Sequence, residues 1–566
     1  MNKILSLTLA AATAAVTLTS CGKLGELSAD NFRVTPTPLE TNAGLVTATI
    51  NGTFPEKYMK KNAVVTVTPV LKYNGRETSS ESATFQGEKV RGNGTEISYK
   101  LGGNYNMKAT FSYVPDMIQS ELYLRFNAML GSKDVALPDV KVGYGVRATS
   151  QLLGGCMKGM SGAVAPDNFQ RVIAEKRESQ IKFLIGQAQL RQSELQSTSV
   201  KDFISMIKQI NDDQERLAID NIEVSSYASP DGSFFLNDEL AAKRQDVTEG
   251  YLRDQLQKIG AQAYDIDAKY TAEDWDGFQE LVAASNIQDK EIILSVLKMY
   301  YDPEEREQQI HNLSSVYSEL ADGVLPELRR SRLTINYQVI GRDDEQIMQQ
   351  FKDDAKELSV EELVYAANYL ATDAATQEAI MKKTIELYPA DYRSYNNLAA
   401  LYFSQGNTKA ATNYLTQAKA KNANAPEIAV NEALMAIREG EIDKAATLLG
   451  KGTEADAYNE VLGCLEIAKG NYPKAAKALE GKNNNCAALA NILCKDYSAA
   501  AKILASIKDG NAYTSYLSAV LSARQKDTSG VVSNLRATAQ KDSKLAQRAL
   551  KDLEFAKFTN AIKSIF

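Results

Sequence analysis

The sequence predicts three modules of different class: an all-β sandwich, an α/β domain carrying a helical insertion, and an all-α stack of helical repeats. Three observations carry this. Short runs rich in Val, Thr, Tyr and Phe, separated by Gly/Asn/Pro turns, fill residues 31–150. A strand, a tight turn and a helix succeed one another in Asn221–Leu252. A six-residue element ending in Ala then recurs through the last third, at a period of 34 residues where it is best kept. A chain of 566 residues is long enough to bury three or four cores.

The start of the chain is read as processed. Asn2-Lys3 is a short basic stretch, and Ile4–Leu18 is apolar but short for a membrane span. It ends in Leu18-Thr19-Ser20-Cys21, which resembles a bacterial lipobox. That resemblance implies a signal peptide over residues 1–20, lipid (palmitate among the acyl groups) on Cys21, and an outer-membrane anchor. Residues 22–30 lack the acidic run that in some bacterial groups marks export to the cell surface, so a periplasm-facing protein is expected, with the cell surface as the alternative.

Composition excludes several classes. Net charge is −7 with no basic tract, which argues against nucleic acid as a partner. The one histidine, His311, has no flanking motif, so Ser-His-Asp or Cys-His catalysis and His-rich zinc sites are not expected. Beyond Cys21 the cysteines are Cys156, Cys464, Cys486 and Cys494, with no CxxC pair. Neither a cofactor nor an enzymatic centre is indicated. Paired carboxylates such as Asp274 and Asp276 read as helix surface.

In residues 31–150, seven strands are expected, from Leu45–Asn51 to Val140–Thr149, with Asn74-Gly75 as a hairpin turn. Residues 151–166, glycine-rich and closed by Pro166, read as a linker. The central domain is expected over residues 167–342. Ile222–Tyr227 alternates as a strand, Ala228–Gly232 (ASPDG) is turn chemistry, and helical spacing begins at Asn237. A turn beside a helix N-terminus is a place to hold an anion.

Within Phe169–Arg342, three pieces in order resemble the OmpA-like family, by which outer-membrane proteins grip peptidoglycan. Asn237, Leu240 and Arg244 match its helix motif N-x-x-L-S-x-x-R-A, with Ala241 in place of the Ser. Ile181–Leu195 resembles its first strand, and Leu328–Val339 its closing strand. The resemblance implies a peptidoglycan site at Ser229, Asp231, Asn237 and Arg244, with Arg244 on a stem-peptide carboxylate. The family's ligand-binding Asp falls on Ser229, which leaves Asp231 as the turn's carboxylate. Residues 254–327 form a long insertion, expected to be helical; Bacteroidota members carry a similar ASPDG…EDWDGF…LPELR arrangement.

The repeats, over residues 359–566, begin at Gly406, Gly440, Gly470 and, degraded, Lys495. Ala411, Ala445, Ala475 and Ala500 stand five residues after these starts, and Leu415, Leu449, Leu479 and Leu504 nine after. The pattern resembles the tetratricopeptide family and implies a solenoid whose face recruits protein partners. Phe555, Phe558 and Phe566 are expected to cap it, the alternative being contact with a partner. The leading expectation is a lipid-anchored scaffold that tethers the outer membrane to peptidoglycan or recruits partners through the repeats. The alternative is an accessory subunit of an outer-membrane assembly, transport or secretion complex whose α/β domain no longer binds the wall.

Overall fold

The computed structural model describes residues 24–261, 264–287, 290–312 and 314–566. The expected signal peptide and Cys21 lie outside the described residues. By packing, the chain forms two units: one runs to Pro166 and resumes at Ala371, and the other is Asp167–Leu370. The first and last sequence modules therefore belong to a single unit.

The β module is a two-sheet sandwich. Its strands are β1 (Phe32–Thr35), β2 (Leu39–Asn42), β3 (Leu45–Phe54), β4 (Ala63–Tyr73), β5 (Arg76–Ser79), β6 (Ala83–Gly87), β7 (Thr95–Ile97), β8 (Gly103–Ser112), β9 (Glu121–Leu130), β10 (Lys133–Ala136), β11 (Val140–Tyr144) and β12 (Val146–Arg147). One sheet runs β1-β3-β2-β12 with β8 along β3, and the other runs β10-β9-β4-β6-β7 with β11 on β9 and β5 on β4. Alternation decides which side faces in: Val46, Ala48, Ile50 and Phe54 of β3 share a core with Val65 and Val67 of β4. The seven expected runs all contain strands, and the expected Val140–Thr149 divides into two. The strands β1, β2, β5 and β10, of four residues each, were not foreseen. They are too short to show a period.

The second unit is a four-stranded sheet. It contains β13 (Val172–Lys182), α1 (Thr198–Asp212), β14 (Leu217–Tyr227), α2 (Phe234–Lys258), β15 (Ile266–Thr271), α3 (Trp275–Ala284), α4 (Lys290–Met299), α5 (Pro303–Asn312), α6 (Ser314–Gly323) and β16 (Arg330–Ile340). Strand order is β13-β16-β14-β15, with β14 and β15 parallel and the other pairs antiparallel. Of the segments on which the family resemblance rests, Leu328–Val339 lies largely in β16, and Asn237–Arg244 lies on α2 and not in the sheet. The expected first strand Ile181–Leu195 supplies only Ile181 and Lys182 at the end of β13, which begins earlier, at Val172. The insertion is not wholly helical, because β15 lies inside it; α3 to α6 then enclose a small core of their own around Phe278, Val282 and Leu297. Val360–Tyr365, expected as the start of the repeats, packs with this unit instead.

The repeats are five helix pairs. They are α7 (Arg393–Ser404) with α8 (Thr408–Lys421), α9 (Pro426–Glu439) with α10 (Ile442–Leu449), α11 (Tyr458–Ala468) with α12 (Tyr472–Ala478), α13 (Asn485–Cys494) with α14 (Tyr497–Ser506), and α15 (Ala512–Arg524) with α16 (Thr528–Lys541). The sequence shows four of these; the fifth, turning at Lys526, falls within the expected residues 359–566 but carries no glycine at its turn. It keeps the spacing, with Val531 and Leu535 buried where other pairs bury Ala and Leu.

Each pair turns through a left-handed residue: Gly406 (φ +78°), Gly440 (+81°), Gly470 (+76°), Lys495 (+66°) and Lys526 (+63°). In three of the five pairs the next residue then caps the second helix with its side chain, Asn407 for Ala410, Asp496 for Ala499 and Asp527 for Gly530. Lysine is a costly choice at a left-handed position, where its Cβ crowds the carbonyl. Lys495→Gly and Lys526→Gly are each expected to raise stability by about 1 kcal/mol in denaturant unfolding. An unchanged or lowered midpoint would show that the lysines fit their turns without strain.

At the C-terminus Phe555 is buried against Tyr516, rings 5.6 Å apart, as a capping residue would be, while Phe566 is 45% exposed.

Candidate functional site

The residues that the family resemblance singles out do come together in the second unit. Tyr227 ends β14, the ASPDG turn follows, and α2 starts behind Ser233. Ser229 donates from Oγ to Asp231 Oδ1 (2.5 Å), and Arg329 closes this turn, reaching Ser229 Oγ at 3.1 Å and Asp231 Oδ2 at 2.8 Å. Asn237 donates from Nδ2 to the Gly232 carbonyl at 3.0 Å.

Arg244 is 0% exposed. Its Nε donates to Gln187 O (3.0 Å), one terminal nitrogen to Tyr227 O (2.8 Å) and the other to Leu184 O (3.2 Å). Its guanidinium also lies 5.1 Å from the Phe183 ring centroid. Burial, and then repulsion from Arg329, pull its pKa down to about 10. The side chain ties three backbone carbonyls together and presents no edge to solvent.

Beside the turn is a cavity of about 350 Å³, whose walls include Tyr227, Glu273, Asp276, Glu280 and Arg332. Asp274, also on its wall, is paired with Arg330 at 3.1 Å, whereas Glu273 accepts from Trp275 Nε1 at 2.9 Å. With its surplus of carboxylates, this pocket has the chemistry for an amine.

The other built site was not foreseen. Residues 151–166 are no free linker: Leu152, Leu153, Cys156, Met157, Met160 and Ala163 are all buried in the solenoid's core. The segment lies across the first helices of successive pairs. Asn431 accepts from Ala163 N (2.7 Å) and donates to Ala163 O (2.8 Å), while Asn396 also donates to Ala163 O (2.9 Å). Asn397 treats Ala165 in the same way, accepting from N at 2.7 Å and donating to O at 3.2 Å. These amides pair with main chain, as a neighbouring strand would. Further along, the Met160 sulfur lies 3.7 Å from Cys464 Sγ and 3.6 Å from Cys486 Sγ.

Two of the glycines here, Gly155 and Gly162, serve close packing. A Cβ on Gly155 would stand 1.8 Å from the Tyr513 ring, and one on Gly162 would stand 2.2 Å from Asn431 Oδ1. Next to the segment, Ser150 donates to the Thr41 carbonyl of the sandwich (3.0 Å), and Thr149 donates to buried Glu554. A signal was available in the sequence. Asn397 and Asn431 each stand nine residues before the turn glycine of their repeat, and the later repeats place Val461, Cys486 and Leu517 there. The change from amide to apolar follows the occupant, from the Ala163 and Ala165 backbone to Met160.

No protein-family model matches the sequence, and no curated protein does. Among solved structures, the chain is similar to a tetratricopeptide repeat protein from Parabacteroides merdae ATCC 43184, at 13% identity over 37% of this chain and 90% of that one, with a TM-score of 0.27. It is similar to pilF of Pseudomonas aeruginosa at 16% identity, over 35% of this chain and 95% of that one, with a TM-score of 0.25. Yeast Tom70 matches at 12% identity over 58% of this chain and 78% of that one, also with a TM-score of 0.25. At these scores the architecture rests on this chain's own helix pairs. Among the described residues, no helix is long and apolar enough to cross a membrane, and no cluster of His, Cys, Asp and Glu is placed to hold a metal.

Proposed function

We propose that this protein is a non-catalytic scaffold of the bacterial outer envelope, held to the outer membrane by lipid on Cys21 and acting as an accessory subunit of an outer-membrane assembly. In this reading the central unit is an OmpA-like domain turned from wall binding to docking. The observation that carries it is the closed donor set of Arg244: a guanidinium bonded to three carbonyls and 0% exposed cannot meet a stem-peptide carboxylate. The cis-occupied solenoid supports the same reading, because a face filled by residues of the same chain builds a rigid body and leaves partner recruitment to other surfaces.

Two measurements on one sample test it. Gently solubilised envelopes are expected to yield outer-membrane proteins with this chain at fixed ratio, with none of the chain sedimenting with peptidoglycan. Cys21→Ala is expected to abolish labelling by a palmitate analogue and release the protein from the membrane. Sedimentation with purified peptidoglycan would overturn the docking reading.

The amine-suited cavity beside the turn favours one second reading, a wall tether that grips the stem-peptide amine without Arg244. It predicts sedimentation that Glu273→Gln with Glu280→Gln reduces at least tenfold; sedimentation unaffected by that pair would remove it.

A further inference from the structure

Between the sandwich and the solenoid, inside the first unit, lies a cleft of about 540 Å³, within the usual range for ligand sites. Its charge is one-sided: Arg147, Lys495, Arg524, Lys526 and Lys557 face it, against only Glu40 and Glu554. The two carboxylates are already engaged. Glu554 takes Arg524 at 2.6 Å, and Glu40 takes Arg147 at 2.5 Å. Lys495, Lys526 and Lys557 are exposed and, among the described residues, have no carboxylate at ion-pairing distance. Three unpaired cations converging on one concavity, in a chain of net charge −7, form a local reversal of sign.

The backbone supplies an independent observation. Lys495 and Lys526 are the two turn residues that replace glycine in successive repeats, both at positive φ. Gly470, in the preceding repeat, has its own reason to be glycine, since a Cβ there would lie 1.6 Å from Asn42 Oδ1 of the sandwich. Where the cleft opens beyond this contact, the turns carry lysine in spite of its conformational cost. Strained positions that converge on one concavity are a mark of a functional site.

From this geometry we infer that the cleft binds a short acidic segment of a partner protein. The three lysines receive its carboxylates, while Tyr144, Tyr497 and Phe558 flank its apolar parts. A flat anionic membrane cannot enter a recess of this kind, and the chain's overall negative charge opposes a nucleic acid. The inference does not depend on the envelope reading.

The test is fluorescence anisotropy of a fluorescein-labelled hexaglutamate peptide with the full-length protein, against a hexalysine control. Hexaglutamate is expected to bind, to weaken steeply between 50 and 300 mM salt as a charge-driven contact must, and to bind at least tenfold more weakly to the Lys495→Gly/Lys526→Gly variant. Glycine suits both turns, so this variant stays folded, and its melting temperature is expected to rise while its affinity falls. Equal affinity in the variant, no hexaglutamate binding to the wild type, or equal binding of hexalysine would each overturn the proposal.

Discussion

Replacing Arg244 with alanine is expected to destabilise the central unit by about 4 kcal/mol, an effect on folding before any effect on binding. The side chain is among the largest that are fully buried, so its removal leaves a cavity and strands the carbonyls of Leu184, Gln187 and Tyr227. Each stranded carbonyl costs about 1–3 kcal/mol, partly recovered where water follows the deletion. Arg244→Lys should lose roughly half as much, because an ammonium can reach some of the carbonyls but lacks the guanidinium's fork. Urea unfolding followed by near-ultraviolet circular dichroism reads this directly. A wild-type midpoint for Arg244→Ala would mean that the guanidinium is not holding the turn, and would reopen a ligand role for it. The experiment also governs how wall-binding assays are read: loss of sedimentation in Arg244→Ala alone cannot separate a missing ligand contact from an unfolded domain.

The extent of what the sequence reveals follows from length scales. Strands such as Ala63–Tyr73 and the helix from Phe234 are long enough to display a period, and their positions are legible. The four-residue strands are not, since one alternation is indistinguishable from a loop, and β15, six residues long, buries only Ile266 and so lacks the apolar alternation that marks Ile222–Tyr227. The fifth repeat is hidden because Lys526 stands where the first three carry Gly and Val531 where all four carry Ala, although the spacing to Leu535 is intact. Local reading does not reach burial that depends on distant chain. Arg244 was found by its motif, but its burial depends on carbonyls of Leu184 and Gln187, far away in sequence. Composition marked residues 151–166 as a linker because glycine-rich sequence has two physical uses, freedom and closeness, and only the partners tell them apart.

That ambiguity can be settled by a glycine series within the one segment. Gly155→Ala and Gly162→Ala are each expected to cost about 3 kcal/mol, while Gly154→Ala should be neutral or slightly stabilising. For Gly154, nothing lies within 4 Å of the added Cβ, and the residue sits in the short helix Leu153–Cys156, where alanine is favoured. For Gly155, the Cβ would overlap the ring of Tyr513 on α15, within the packed core. For Gly162, it would press on Asn431 Oδ1, which is holding Ala163 N–H at 2.7 Å while its amide nitrogen is held by Asn396 at 2.9 Å. Asn431 cannot turn aside without breaking the ladder, so the segment must lift. Trypsin should then cut after Lys158, an exposed residue inside the segment, much faster in Gly162→Ala than in wild type or Gly154→Ala. A flexible tether makes the opposite prediction, with all three substitutions alike and Lys158 cut readily from the start. If the docked segment is what makes one body of sandwich and solenoid, Gly162→Ala should also separate their unfolding into two transitions where the wild type shows one.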